Sequence, residues 1–273
     1  MVENFSKSIV MFLLKWLTKV YLWLHKPYVI VISGTTGRFW AKEKVVEVLK
    51  ERNFNVRANK KNFNAEVGLP LSILNISSGE RSFSKWMKVI WKAVKLLVES
   101  FKKSNREWAS EYLVLEMAID MPEDMKYLLS IVKPNFVILT TITMAYQENF
   151  ESLDEIAKEY QSLVGALPWN GSLVLNNDDE RVSNLAQYYD GKVIAYGFKD
   201  DSQFKAFNVR KIEDGQQFKI EIQRKEKEIE NVKINRFGRH HIYAELIKEV
   251  IKENFKERQR EFFGKILDMT SER

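Results

Sequence analysis

The chain has 273 residues, 45% of them hydrophobic and 12% aromatic, enough to bury one sizeable core, and its lack of cysteine excludes disulfides, thiol nucleophiles and cysteine-bound zinc. Its formal charge of +6 is concentrated: residues 1–30 carry Lys7, Lys15, Lys19 and Lys26 against Glu3, and residues 81–103 carry Arg81 and six lysines against Glu99, leaving the remainder acidic. That distribution argues against a nucleic-acid-binding face. With only three histidines, any divalent ion would rest on carboxylates, hydroxyls and phosphate, as magnesium does.

Residues 5–24 (FSKSIVMFLLKWLTKVYLWL) form the most apolar stretch, but Lys15 and Lys19 interrupt it, whereas a spanning helix needs about 20 mostly apolar residues. Wound at about 100° per residue, Lys7, Ser8, Lys15, Thr18, Lys19 and Lys26 share an arc of roughly 120°, and Ile9, Phe12, Leu13, Trp16, Leu17, Val20 and Trp23 fill the rest. The pattern fits an interfacial helix, with lysines reaching lipid phosphates and Trp and Leu at the headgroup boundary; it also fits a helix packed on the protein's own core. No signal-peptide cleavage pattern follows, so a cytoplasmic location is expected, peripheral on the inner face of a membrane if the helix lies on lipid.

Tyr28–Ser33 (YVIVIS) reads as a strand, followed by the turn Gly34-Thr35-Thr36-Gly37 and a helix to Glu51, the order of a phosphate-binding loop. A second basic helix is expected over 82–103. Lys85, Lys88, Lys92, Lys95 and Lys102 lie on one face of it, and Trp86, Ile90, Val94, Leu97 and Phe101 opposite, suited to covering a sheet or to joining the first helix on an anionic membrane. Apolar runs at 112–117, 136–140, 173–175 and 193–195 alternate with helical stretches at 122–132, 152–166 and 178–189. This predicts an α/β fold, a mostly parallel sheet covered on both faces in three layers. Strands near 204–211, 217–223 and 229–236 suggest a small antiparallel appendage, and two helices are expected at about 241–254 and 256–268.

Five segments in order carry a resemblance: VIVISGTTG; NKKNFNAEVGLPLSIL; YLVLEMAIDMPEDMKYLLSIVKP; SLDEIAKEYQSLVGALPWNGSLVLNNDDERV; and FGRHHIY. Over about residues 28–254 the chain resembles the central domain of the Mur ligases, most of all the UDP-N-acetylmuramoyl-tripeptide D-alanyl-D-alanine ligase type. The resemblance implies a phosphate-loop fold at 28–273 behind a helical segment at 1–27. It also implies ATP and magnesium as cofactors if any are used, and bacterial peptidoglycan-precursor chemistry, in which an acyl phosphate is displaced by an amine. The family's N- and C-terminal domains have no counterpart between Met1 and Arg273, so a partner is expected among cell-wall enzymes or a separately encoded ligase domain, with no nucleic acid.

Carried over residue by residue, the resemblance assigns nucleotide binding to Gly34, Thr35, Thr36, Gly37, Arg38, Asn176, Asp179 and His240, a magnesium to Glu116, and a substrate-side loop to Asn62, Asn64 and Glu66. It also exposes departures. The family's G-x-x-G-K-[ST] loop ends here in Arg38-Phe39, so the phosphate lysine has become a forked guanidinium and the metal-binding hydroxyl is lost. The family's metal-side histidine corresponds to Tyr146, and its carbamylated lysine to Tyr160, with Lys158 as a neighbour. In Gly238-Arg239-His240-His241 the usual asparagine is His241, and Ala244 stands where a further asparagine is expected; His240 itself also reads as a capping or core residue. A neutral phenol ligates magnesium poorly. These losses all strike phosphate and metal handling. The expectation is therefore a catalytically inactive, membrane-peripheral binding module, the alternative being an active ligase or ATP-binding subunit completed by a partner chain.

Overall fold

The computed structural model describes residues 2–60, 63–79, 83–102, 111–144, 149–223 and 228–271, and their side chains except at 2–8, 83, 102 and 256–271. Along the chain run α1 (Val2–His25), β1 (Tyr28–Ser33), α2 (Arg38–Glu51), β2 (Val56–Ala58), α3 (Gly68–Leu74) and α4 (Phe83–Lys102). Then come β3 (Tyr112–Glu116), α5 (Asp124–Leu129), β4 (Phe136–Leu139), α6 (Leu153–Gly165), β5 (Ser172–Asn176) and α7 (Glu180–Asn184), the last followed by a 3₁₀ turn. The chain closes with β6 (Lys192–Gly197), β7 (Phe204–Ile212), β8 (Gly215–Ile222), β9 (Glu228–Ile234) and α8 (Arg239–Ser271).

The nine strands form one sheet in the order β2-β3-β1-β4-β5-β6-β7-β8-β9, parallel from β2 to β7 and antiparallel from β7 to β9. β1 is flanked on both sides, by β3 and β4, as a β-branched run with no polar face requires. Its side chains alternate: Val29 and Val31 enter the core beneath α1, α3, α4, α5 and α6, while Ile30 and Ile32 enter the core beneath α2 and α8. The antiparallel strands continue the same sheet rather than standing apart, because β7 leaves β6 in parallel register at Tyr196–Phe204.

Two features depart from the sequence expectation. β2 was not anticipated; it is a three-residue, half-buried edge strand whose Arg57 donates to the Ile73 carbonyl at 2.6 Å and stacks on Tyr21. The two C-terminal helices are one, α8, because the charged run from Lys256 to Glu261 contains neither Gly nor Pro and interrupts only the apolar pattern. α8 is tied to α2 by Lys44–Glu245 (2.9 Å) and Lys248–Glu47 (2.5 Å), which hold the start of α8 beside the loop after β1.

Candidate functional site

The carboxyl ends of β1, β3, β4 and β5 converge on the loop Gly34–Gly37. Gly34 has φ +124°, and a Cβ there would stand 2.2 Å from Thr140 Oγ1 and 3.0 Å from the backbone N and O of Thr141. The loop is therefore pressed against the segment after β4. Thr35 donates its backbone N–H to the Thr141 carbonyl at 2.7 Å, Thr140 Oγ1 donates to the Thr36 carbonyl at 2.6 Å, and the Thr36 and Thr141 hydroxyls are 2.7 Å apart. Gly37, at φ +82°, sits at the N-cap of α2.

Arg38 opens α2 and folds back over the loop. Its guanidinium donates to the Gly34 carbonyl, and its Nε lies 3.3 Å from Glu116 Oε1. One turn further on, Lys42 is buried, donates to the Asn59 carbonyl at 3.0 Å and places Nζ 3.7 Å from Glu116 Oε2. Asn64 Nδ2 donates to Glu116 Oε1 at 2.9 Å. The expected magnesium ligand thus has two internal cations and an amide on its carboxylate. Tyr160 is fully buried close to Arg38 and Gly34; burial outweighs the neighbouring guanidinium and pushes its phenol well above the usual range, so it stays protonated. Phe39, a third exposed, has no oxygen to offer.

These residues do not fit a magnesium ion. Its carboxylate is occupied by opposite charge, its hydroxyl ligand is missing, and among the described residues no group of three His, Asp or Glu could hold a metal. Lys158 is exposed and takes no part, Asn62 and Tyr146 lie outside the described residues, and Glu66 is half-buried near Tyr127. Asn64 was expected on a substrate-side loop; it faces Glu116. Lys42 was not singled out from the sequence, where a lysine on an amphipathic helix reads as solvated. Its signal was its spacing, one helical turn after Arg38 on the same face.

The nucleotide-side positions are better kept. A cavity of about 200 Å³ lies between the loop and the first turns of α8, bordered by Thr36, Gly37, Arg239, His240 and Tyr243. That is below the roughly 300–1,000 Å³ of most small-molecule pockets and has room for a ring system rather than a whole nucleoside triphosphate. Asn176 is buried, accepts from the Asp178 amide at 3.1 Å, and lies against the Tyr243 hydroxyl. Asp179 instead serves the fold: it caps α7 through Val182 N and accepts from Ile142 N at 2.8 Å, joining the loops after β4 and β5. Of the expected nucleotide positions, Thr36, Gly37 and His240 thus border this cavity, whereas Asn176 and Asp179 are not among its lining residues.

His241 lies edge-on to Trp40 and tilted against His240, with ring centroids 4.6 and 4.1 Å away, and burial, His240 and Arg236 hold its pKa down to about 4. Such a group contributes stability that is complete above its ordinary 6.5 and is lost as pH falls through about 4, because the unfolded chain binds the proton more readily. The melting temperature is therefore expected to fall from pH 6.5 to 4, and His241→Phe to flatten part of that slope. His25, lowered by burial and then by Arg57, acts in the same direction. Melts of both proteins at matched pH test this; parallel slopes would exclude a role for His241.

Residues 94–247 match the model of the Mur ligase middle domain. The chain is 26% identical over 208 residues to the UDP-N-acetylmuramoyl-tripeptide--D-alanyl-D-alanine ligase of Buchnera aphidicola, covering 75% of this chain and 38% of that one. Its fold is shared with the MurF ligase of Thermotoga maritima, solved with ADP, at TM-score 0.70 and 20% identity over 90% of this chain and 49% of the other. It is also shared with MurF of Acinetobacter baumannii, at TM-score 0.64 and 14% identity over 86% and 44%. The chain spans less than half the length of each of these relatives.

Proposed function

The chain belongs to the Mur ligase family through its middle domain, and from that premise we propose that it is a catalytically inactive, membrane-peripheral module on the peptidoglycan-precursor ligase fold. The observation that carries the loss of ligation is the cluster Arg38–Glu116–Lys42: the protein's own cations take the place that phosphate and metal would need. ATP-driven amide ligation gathers negative charge between a carboxylate and the γ-phosphate, and positive charge must be free to meet it. Here Arg38 and Lys42 already face Glu116, and Tyr160 is a neutral phenol.

A second reading, favoured by the cavity bordered by Thr36, Gly37, His240 and Tyr243, is a nucleotide-binding module that does not turn over. Calorimetry with ATP, with and without magnesium, separates the two. The inactive module without nucleotide gives no heat; the nucleotide binder gives the same affinity in both buffers; an active ligase, completed or not by a partner chain, requires magnesium.

Arg38→Lys with Phe39→Thr rebuilds the family's phosphate loop. It is expected to gain nucleotide binding at most, and no amide product. ADP and amide formed by the wild-type chain from a nucleotide-linked muramoyl peptide and an amine, detected by mass spectrometry, would overturn the proposal.

A further inference from the structure

α1 and α4 pack side by side over the same face of the sheet, with His25 Nε2 3.1 Å from Ser100 Oγ joining their last turns. Each divides its surface three ways. On α1, Val10, Leu14, Thr18 and Tyr21 are buried, Lys15 and Lys19 lie on a second arc, and Phe12, Trp16 and Trp23 are 60%, 50% and 69% exposed on a third. On α4, Val89, Ala93 and Leu97 are buried, Lys85, Lys88, Lys92 and Lys95 form the second arc, and Trp91, Val98 and Phe101 are 64%, 46% and 62% exposed on the third. Of the face expected either to cover a sheet or to lie on a membrane, Leu97 is buried, whereas Val94 and Phe101 face outward. The choice between a core helix and an interfacial one thus dissolves, because each helix carries a face for both.

An apolar arc of this kind on two adjacent helices needs a cover. Charge says which. Six lysines are described on the two helices, Glu99 is the one acidic side chain described on either of them, and the ammonium groups of Lys19 and Lys95 rest over the rings of Trp16 and Trp91 at 4.8 and 5.6 Å. No described helix is long and apolar enough to cross a membrane. We infer that the α1–α4 layer is a docking face for an anionic lipid bilayer, with Phe12, Trp16, Trp23, Trp91, Val98 and Phe101 inserted at the headgroup level and the lysines on lipid phosphates. This rests on the membrane-peripheral half of the function proposed above and is independent of the loss of ligation.

The test is cosedimentation of the full chain with phosphatidylglycerol and phosphatidylcholine vesicles at low and high salt. Two variants accompany it, Trp16→Ser/Trp23→Ser/Trp91→Ser and Lys88→Glu/Lys92→Glu/Lys95→Glu. All six side chains are exposed, and circular dichroism checks that the fold persists. The wild type is expected to bind phosphatidylglycerol vesicles, to release them as salt rises, and to leave phosphatidylcholine in solution. Each variant is expected to lower the partition coefficient by about tenfold or more. Undiminished binding by both variants would overturn this face while leaving membrane association standing. Absence of binding by the wild type at low salt would overturn both. A dimer in light scattering that the tryptophan variant dissolves, without vesicle binding, would assign the face to a second copy of the chain instead.

Discussion

Glu116→Ala is expected to lower stability by about 3–5 kcal/mol, because it leaves the Arg38 and Lys42 cations, with side chains only 12% and 3% exposed, facing each other with no anion between them. For a domain of this size that corresponds to a fall in melting temperature on the order of 6–20 °C. Returning the cluster to its wild-type net charge tests the cause as well as the size. Adding Arg38→Met to Glu116→Ala should recover part of the loss, since it removes the repulsion between the two cations and leaves Lys42 with the Asn59 carbonyl as acceptor. A single substitution that costs less than about 1 kcal/mol, the ordinary size of an exposed ion pair, would mean that the cluster is solvated and that a metal could compete for the carboxylate.

Gly34→Ala is the second large effect. The added methyl would meet Thr140 Oγ1 at 2.2 Å and the Thr141 backbone at 3.0 Å, at a φ of +124° that an L-residue resists. The hydroxyl could turn aside, but the backbone could not without pulling the segment after β4 away from the loop. A loss of about 2–5 kcal/mol is expected from strain and overpacking together. Gly37→Ala is the control. Its φ is also positive, but its nearest atoms lie at 3.9 and 4.0 Å, so only the backbone cost of about 1–2 kcal/mol remains. Equal losses from the two in chemical denaturation would show that conformation alone, and not close approach, governs the loop.

The strand–turn–helix at 28–51 was legible because a β-branched run, two glycines and a helical stretch carry their own signals within 24 residues. β2 was not, because three half-buried residues centred on Arg57 have no periodicity to read and pair only once β3 arrives 56 residues later. In α8 the apolar pattern breaks at the charged run from Lys256, which splits the signal in two although no residue in that run breaks a helix. The site divides in the same way. That Arg38, Phe39 and Tyr160 had departed from the family's pattern was visible in the linear order. What those departures did was not, because Arg38 and Lys42 meet Glu116 across 78 and 74 residues of chain, and only the parallel register of β1 against β3 brings them together. The α1 reading stayed open for a physical reason. A lysine arc of roughly 120° leaves an apolar remainder too wide for one burial face, and periodicity does not say which part of it the fold covers.

The cluster around Glu116 also bears on history. Take the lysine that the family carries where Tyr160 stands: introduced alone into this protein, it would put a third cation into a fully buried place beside Arg38, at a cost of several kcal/mol in a fold whose total margin is about 5–15 kcal/mol. Removing Arg38 first leaves Glu116 with Lys42 and Asn64 alone, and Phe39 still supplies no oxygen. Each single step back toward a catalytic site passes through a less stable protein before any activity returns to select for it. The arrangement would behave as a ratchet: with the interior charges closed on one another, each such change is expected to cost stability before it can add a phosphate or metal contact.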